Sequence, residues 1–188
     1  MALNLNGTTG IVTGNIGALQ VTSDKLASGA ARANFGTGAV LQVVQGVKTD
    51  VSTGLSSTSF VDIPGLSATI TPSATNSKVL IVSSVWGSCR SNASLRILRD
   101  STPVGVNTTS PMGNRRNGVG ADFFVGGSDT GTVQTNLYLD SPSMNTAITY
   151  KIQYACNGVS FPFCVNSAYA DADLTYVSRG ISTVTLVE

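Results

Sequence analysis

From Ala39 onward, apolar and polar residues alternate with a period of two, the spacing that puts every other side chain on one face of a β-strand. The run AVLQVVQGV opens this region. TSFVDI and LSATIT follow, and Pro64 and Gly65 between them read as a turn joining two short strands. In the second of these, Leu66, Ala68 and Ile70 share one face, and Ser67, Thr69 and Thr71 share the other. KVLIVSSVW, from Lys78 to Trp86, is nearly continuous in apolar residues, the mark of a strand buried on both faces. SLRILRD, ADFFVG, VQTNLYLD, AITYKIQYA, SFPFCV and GISTVTLV complete the series. AITYKIQYA alternates cleanly, with Ile148, Tyr150, Ile152 and Tyr154 opposed to Thr149, Lys151 and Gln153. SFPFCV puts Phe161 and Phe163 on one face, as core or subunit interface. No helical period emerges after residue 39. Short strands separated by Gly, Pro, Ser and Asn turns predict an all-β domain over 39–188, an antiparallel β-sandwich of the jelly-roll kind.

Residues 1–38 differ in character. They form a glycine-rich N-terminal extension with isolated apolar residues at Ile11, Val12, Ile16, Leu19 and Val21. Gly7, Gly10, Gly14 and Gly17 recur at spacings of three and four, which suggests short turns stacked along an axis. Ser23 is placed to cap a short helix over DKLASGAARA, with Asp24 near its positive end. A helix this short needs a partner surface. One copy of the extension holds too little apolar material for a core. The expectation is therefore a stem and docking segment that works in a multi-chain assembly, the alternative being a disordered tail.

Composition narrows the function. Charged residues make up 11% of the chain against roughly 25% in ordinary globular proteins. The formal net charge is +1, which gives no reason to expect a nucleic acid partner. Residues 1–20 lack the basic start and apolar run of a secretory signal, and no stretch reaches the ~18 apolar residues of a membrane span. The expectation is a chain that folds in the cytosol of the cell that makes it, with no membrane insertion. The cysteines are Cys89, Cys156 and Cys164, with no CxxC spacing. A Cys156–Cys164 disulfide across a hairpin is conceivable, but three small buried hydrophobes is the preferred reading. The sequon-like strings at Asn6, Asn92 and Asn107 carry little meaning without a secretory route.

Catalytic chemistry is poorly provided for. There is no histidine, which removes the commonest general base, the commonest zinc ligand and every Ser-His or Cys-His nucleophile. Glu188 is the only glutamate, so a glycosidase pair would have to come from aspartates. Asp171 and Asp173 in YADADLTY are the candidates; on a strand they point the same way and either share a calcium ion or are two solvated loop residues. Neither a phosphate-binding glycine loop nor a metal-spaced cluster is present, so no enzyme activity and no cofactor are expected. Binding chemistry is better represented. GNRRNGVG holds the only adjacent basic pair, Arg115 and Arg116, followed by Asn117. These residues suit contact with an anionic or sugar-bearing surface, or else an intersubunit salt bridge or a solvated turn. Trp86 ends the most apolar strand beside Ser and Asn residues, where a tryptophan either stacks on a sugar ring or packs in the core.

Several strings also carry a resemblance. VLQVVQGVKTD, FVDIPGLSATITPSATNSKVLI, LRILRDSTPVG, DSPSMNTAITYKIQYACNG and STVTLVE resemble segments of tail-fibre and related virion structural proteins of tailed bacteriophages. VTSDKLASGAARANFG looks like the connector that precedes such domains. The resemblance covers about 38–188 closely and the first 37 residues loosely. It implies a homotrimer with heads like the jelly rolls of the tumour-necrosis-factor type. It also implies a virion location after assembly in the host cytoplasm. The expected function is a short trimeric tail fibre. Its N-terminus would dock to other virion proteins of the tail or capsid, and its β head would bind host surface polysaccharide. The alternatives are a trimeric head-decoration (cement) protein and, more remotely, a free carbohydrate-binding module.

Overall fold

Strand by strand, the alternation of period two closes into two packed sheets. The computed structural model describes residues 39–108, 113–120, 122, 130–158 and 160–188, and Val40–Glu188 forms one unit. The described residues contain ten strands and no helix: β1 (Val43–Lys48), β2 (Ser52–Leu55), β3 (Val61–Ile70), β4 (Val79–Ser88), β5 (Ala93–Arg99), β6 (Thr102–Val104), β7 (Thr132–Asp140), β8 (Ile148–Cys156), β9 (Phe163–Val165) and β10 (Ser182–Val187). One sheet runs β1-β10-β4-β9-β2, with β7 on the other edge of β4, and the second runs β3-β8-β5-β6. Every pairing is antiparallel. Apart from β2 and β9, the order is β1-β10-β4-β7 facing β3-β8-β5-β6, the wound order of a jelly roll. The extension 1–38, its proposed helix, and most of the ADFFVG run lie outside the described residues.

The core lies between the sheets. Val79, Ile81 and Val85 of β4 and Val184 and Leu186 of β10 meet Ile63, Leu66 and Ile70 of β3, Leu95 and Ile97 of β5, and Ile148, Tyr150 and Ile152 of β8. Each fully buried aliphatic side chain contributes about 1.5–3 kcal/mol. Tyr150 brings a hydroxyl into this core, where it donates to Asp140 Oδ2 at 2.7 Å. Asp140 in turn receives Arg99 Nη1 at 2.9 and 3.0 Å.

Four local readings are corrected. Pro64–Gly65 is not a turn between strands. β3 runs through both residues, and a register shift between Asp62 and Ser67 marks a β-bulge in its pairing with β8. Gly65 sits there at φ +75°, a conformation that glycine adopts without a Cβ clash. β4 is covered on one face alone: Val79, Ile81 and Val85 are buried, whereas Leu80, Val82 and Trp86 are half-buried on the outer face. Phe161 and Phe163 part company, because β9 begins only after Pro162; Phe163 is fully buried and Phe161 exposed. Cys156 and Cys164 belong to strands of different sheets, so no hairpin joins them; all three cysteines are free and buried.

The connections fall at two ends. At one end, the base, lie 71–78, 100–101 and 141–147. At the other, the crown, lie 105–131, 157–162 and 166–181 together with the shorter 49–51 and 89–92. Val40 and Leu41 lie at the base, where Leu41 N–H donates to the carbonyl of Glu188.

Candidate functional site

The sequence-predicted site residues lie at the crown, and the structure divides all but Asn117 among three separate cavities. The first, about 600 Å³, is lined by Asn92, Ser94, Asn114, Arg115, Arg116 and Asp122, together with Gly120 and Asn157. The ends of β5 and β8 form its floor, and residues 113–120 and Asp122 are tied down over them. Val119 N–H donates to Leu95 O at 2.7 Å, and Arg116 Nη2 donates to Cys156 O. Ser94 Oγ donates to Asp122 Oδ1 at 2.5 Å. Arg115 and Arg116 do share this cavity, but they are not equivalent. Arg116 is half-buried and spends a guanidinium N–H on the backbone, whereas Arg115 is exposed. Asn117 is turned to structure: its Oδ1 accepts Asn107 N–H at 2.8 Å and its Nδ2 donates to Asn107 O at 2.7 Å.

The second cavity, about 510 Å³, is lined by Asp171, Ala172, Asp173, Leu174, Val177 and Arg179. Asp171 and Asp173 do not sit on a strand, so the same-side geometry expected of i and i+2 is absent. Asp171 takes φ +44° and its carboxylate accepts Arg179 Nε at 2.9 Å and Nη2 at 2.7 Å. The Arg179 hydrogen bonds hold the Asp171 carboxyl below its usual range. A carboxylate engaged by a bidentate guanidinium is not offered to a cation. Among the described residues no cluster of three or more His, Cys, Asp or Glu is placed to hold a metal.

The third cavity, about 240 Å³, is lined by Trp86, Thr130, Gly131, Tyr176 and Ser178. The Trp86 backbone is pinned on both sides at the point where β10 gives way to β9 along the edge of β4. Its N–H donates to Ser182 Oγ at 3.1 Å, and its carbonyl accepts Asn166 N–H at 2.9 Å. Asn166 is buried at φ +62° and secures this corner. Its Nδ2 donates to Lys48 O at 2.8 Å and Asp50 O at 2.9 Å, and its Oδ1 accepts Ser182 Oγ at 2.7 Å. The indole lies directly against two backbone segments. A Cβ at Gly131 would stand 2.5 Å from Trp86 Cζ2, and one at Gly180 would stand 2.6 Å from Cγ. Only glycine fits at either position. Trp86 is therefore half-buried on a fixed backing, which is neither the free surface ring nor the core ring anticipated.

Asn166, Gly131, Gly180 and Tyr176 escaped sequence reading because they come to Trp86 from two distant connections, the one that ends at Gly131 and 166–181. A motif scan within any one segment shows none of their convergence. Cys89 is hydrogen-bonded to Cys156 and buried, and both effects push its thiol up. Cys156 is buried too, and its hydrogen bond with Cys89 brings its thiol down to about 7. No helix among the described residues is long and apolar enough to cross a membrane. No family model matches the chain, and no curated protein matches it.

Proposed function

We propose that the chain is a virion structural protein of a tailed bacteriophage: a short trimeric tail fibre whose N-terminal segment docks to the particle and whose crown meets host surface glycans. The observation that carries this reading is the outer face of the β1-β10-β4-β7 layer. Its strands align apolar side chains in cross-strand rows. Val43, Val187, Leu80 and Leu139 form one row, with Val82 and Leu137 paired in the next. Val43 is 59% exposed, Leu137 65% and Leu139 57%. None of the outward positions on these four strands is charged. β4 thus has the composition of a strand covered on both faces while the sandwich covers one.

Covering each of these half-exposed Val and Leu side chains is worth about 1–1.5 kcal/mol. An aligned apolar face of this kind marks an interaction surface. Copies of the same chain are the simplest partners for an uncharged, flat patch, and closed three-fold symmetry lets every copy bury it. The apolar rows lie near the base. A row of Thr183, Ser84 and Thr135 separates them from Trp86, so association through them leaves the crown open. The polarity of the domain suits an appendage as well. Val40 lies at the base and the three cavities lie at the crown, about 30 Å away along a ten-residue strand. Weak contacts at each crown would be multiplied by the number of heads.

Light scattering on the full chain tests the assembly, with the mass of three chains expected and that of one chain refuting it. Copy number in purified particles separates a tail appendage, present in tens, from a capsid decoration, present in hundreds.

A further inference from the structure

We propose that the Trp86–Tyr176 cleft is a subsite for a single neutral pyranose ring, taken by its apolar face; the proposal rests on the reading of the crown as the glycan-meeting end. Three observations converge. The indole is preorganised. Its backbone is fixed by Ser182 and Asn166, and its ring rests on Gly131 and Gly180 with no room for a Cβ between. A ring held in this way loses little freedom when a ligand stacks on it. Beside it stands Tyr176, 69% exposed, an aromatic ring kept in water. Among the described residues, the remaining side chains at the cavity wall are the hydroxyls of Thr130 and Ser178.

This lining selects the ligand class. Among the described residues no charged side chain lines the cleft, and no cation there compensates a phosphate or carboxylate, so nucleotides and acidic sugars are disfavoured. An acyl chain would need a continuous apolar channel, which two rings and two hydroxyls do not make. A pyranose matches both components: one face of C–H groups for the aromatic rings, and a rim of hydroxyls for Thr130 and Ser178. The volume, about 240 Å³, is below the ~300–1,000 Å³ typical of sites for drug-sized ligands, which limits the cleft to one ring. The Arg115 cavity is separate, with its own polar and charged lining.

The chain contains a single tryptophan, so its intrinsic emission reports this cleft alone. The full-length chain is titrated with the methyl glycosides of glucose, galactose, mannose, N-acetylglucosamine and N-acetylgalactosamine, with glycerol as the control for bulk solvent effects. The expected result is a saturable emission change with at least one glycoside, half-maximal in the millimolar range. Tyr176→Ala should weaken it by about fivefold or more while leaving the urea midpoint unchanged. Arg115→Ala should leave it intact. A response no different from glycerol, or a Tyr176→Ala protein that responds like the parent, overturns the proposal. The same full-length chain is then applied to an array of bacterial surface polysaccharides. Retained polysaccharide binding without a cleft response discards the cleft and keeps the glycan reading of the crown. Absence of both discards the two together.

Discussion

Glu188→Gln should loosen the base of the sandwich in a strongly pH-dependent way. The Glu188 carboxylate joins the 71–78 connection to the segment that leads into β1. It accepts Ser73 N–H and Ser77 Oγ, each at 2.7 Å, together with Ser73 Oγ and Gln42 Nε2. Burial works to raise its pKa, but these hydrogen bonds outweigh burial and bring it from 4.5 down to about 2. A carboxyl depressed in the folded state stabilises above its unfolded pKa, and that stabilisation is lost as pH falls toward the folded value. The relevant window is pH 4.5 to 2. At about 1.4 kcal/mol per tenfold step the ceiling is roughly 3 kcal/mol. Solvent screening of a half-exposed group reduces this to about 1–2 kcal/mol. Urea unfolding of parent and variant, followed by Trp86 emission at one fixed chain concentration, measures the difference. The variant should be less stable by about 1–2 kcal/mol at pH 7. The gap should shrink by more than half at pH 3, where the unfolded-state advantage of protonation is already felt. An equal gap at both pH values would refute the reasoning, because neutral hydrogen bonds would then account for the whole effect.

Further outcomes follow from the core and the crown. Asn166→Ala removes three side-chain hydrogen bonds from a buried corner and leaves a Cβ residue at positive φ; a loss of about 3 kcal/mol in urea unfolding is expected. Gly131→Ala forces a methyl group against the indole and should cost about 1–3 kcal/mol, with a shift in Trp86 emission that a distant glycine substitution does not produce. Tyr150 has its pKa pushed well up by burial and by the neighbouring Asp140 carboxylate. Such an acid stabilises the fold below the unfolded tyrosine pKa of about 10, and stability falls as pH rises above that value. Absorbance titration should therefore show Tyr150 ionising last, together with alkaline unfolding, and Tyr150→Phe should flatten this decline.

Legibility in the sequence tracked the locality of the physics. Alternation is a property of neighbouring residues, and it correctly assigned the buried faces of β8 (Ile148, Tyr150, Ile152) and of the second half of β3 (Leu66, Ala68, Ile70). Pro64–Gly65 misled because a β-bulge and a tight turn use the same residues, and only the partner strand distinguishes them. β2 was missed because STGL carries almost no apolar signal and is held by pairing with β9. The continuous apolar run of β4 misled as well: the strand is covered on one face alone, and Leu80 and Val82 are half-buried on the other. At the crown, single residues were legible and their company was not. Arg115 and Trp86 drew notice by chemistry, but the Arg179 that engages Asp171 from within the same connection, and the glycines that reach Trp86 from two other segments, did not.

The central claim is that the outer face of the β1-β10-β4-β7 layer joins copies of this chain, and the most direct measurement is solution mass with that face altered. Leu80 and Leu139 are directly opposed on adjacent strands and point outward, so Leu80→Glu with Leu139→Glu places like charges across the proposed interface without entering the core. Light scattering should give three chains for the parent and one for the double variant, with far-UV spectra unchanged. A parent that is monomeric, or a double variant that stays trimeric, would contradict the account.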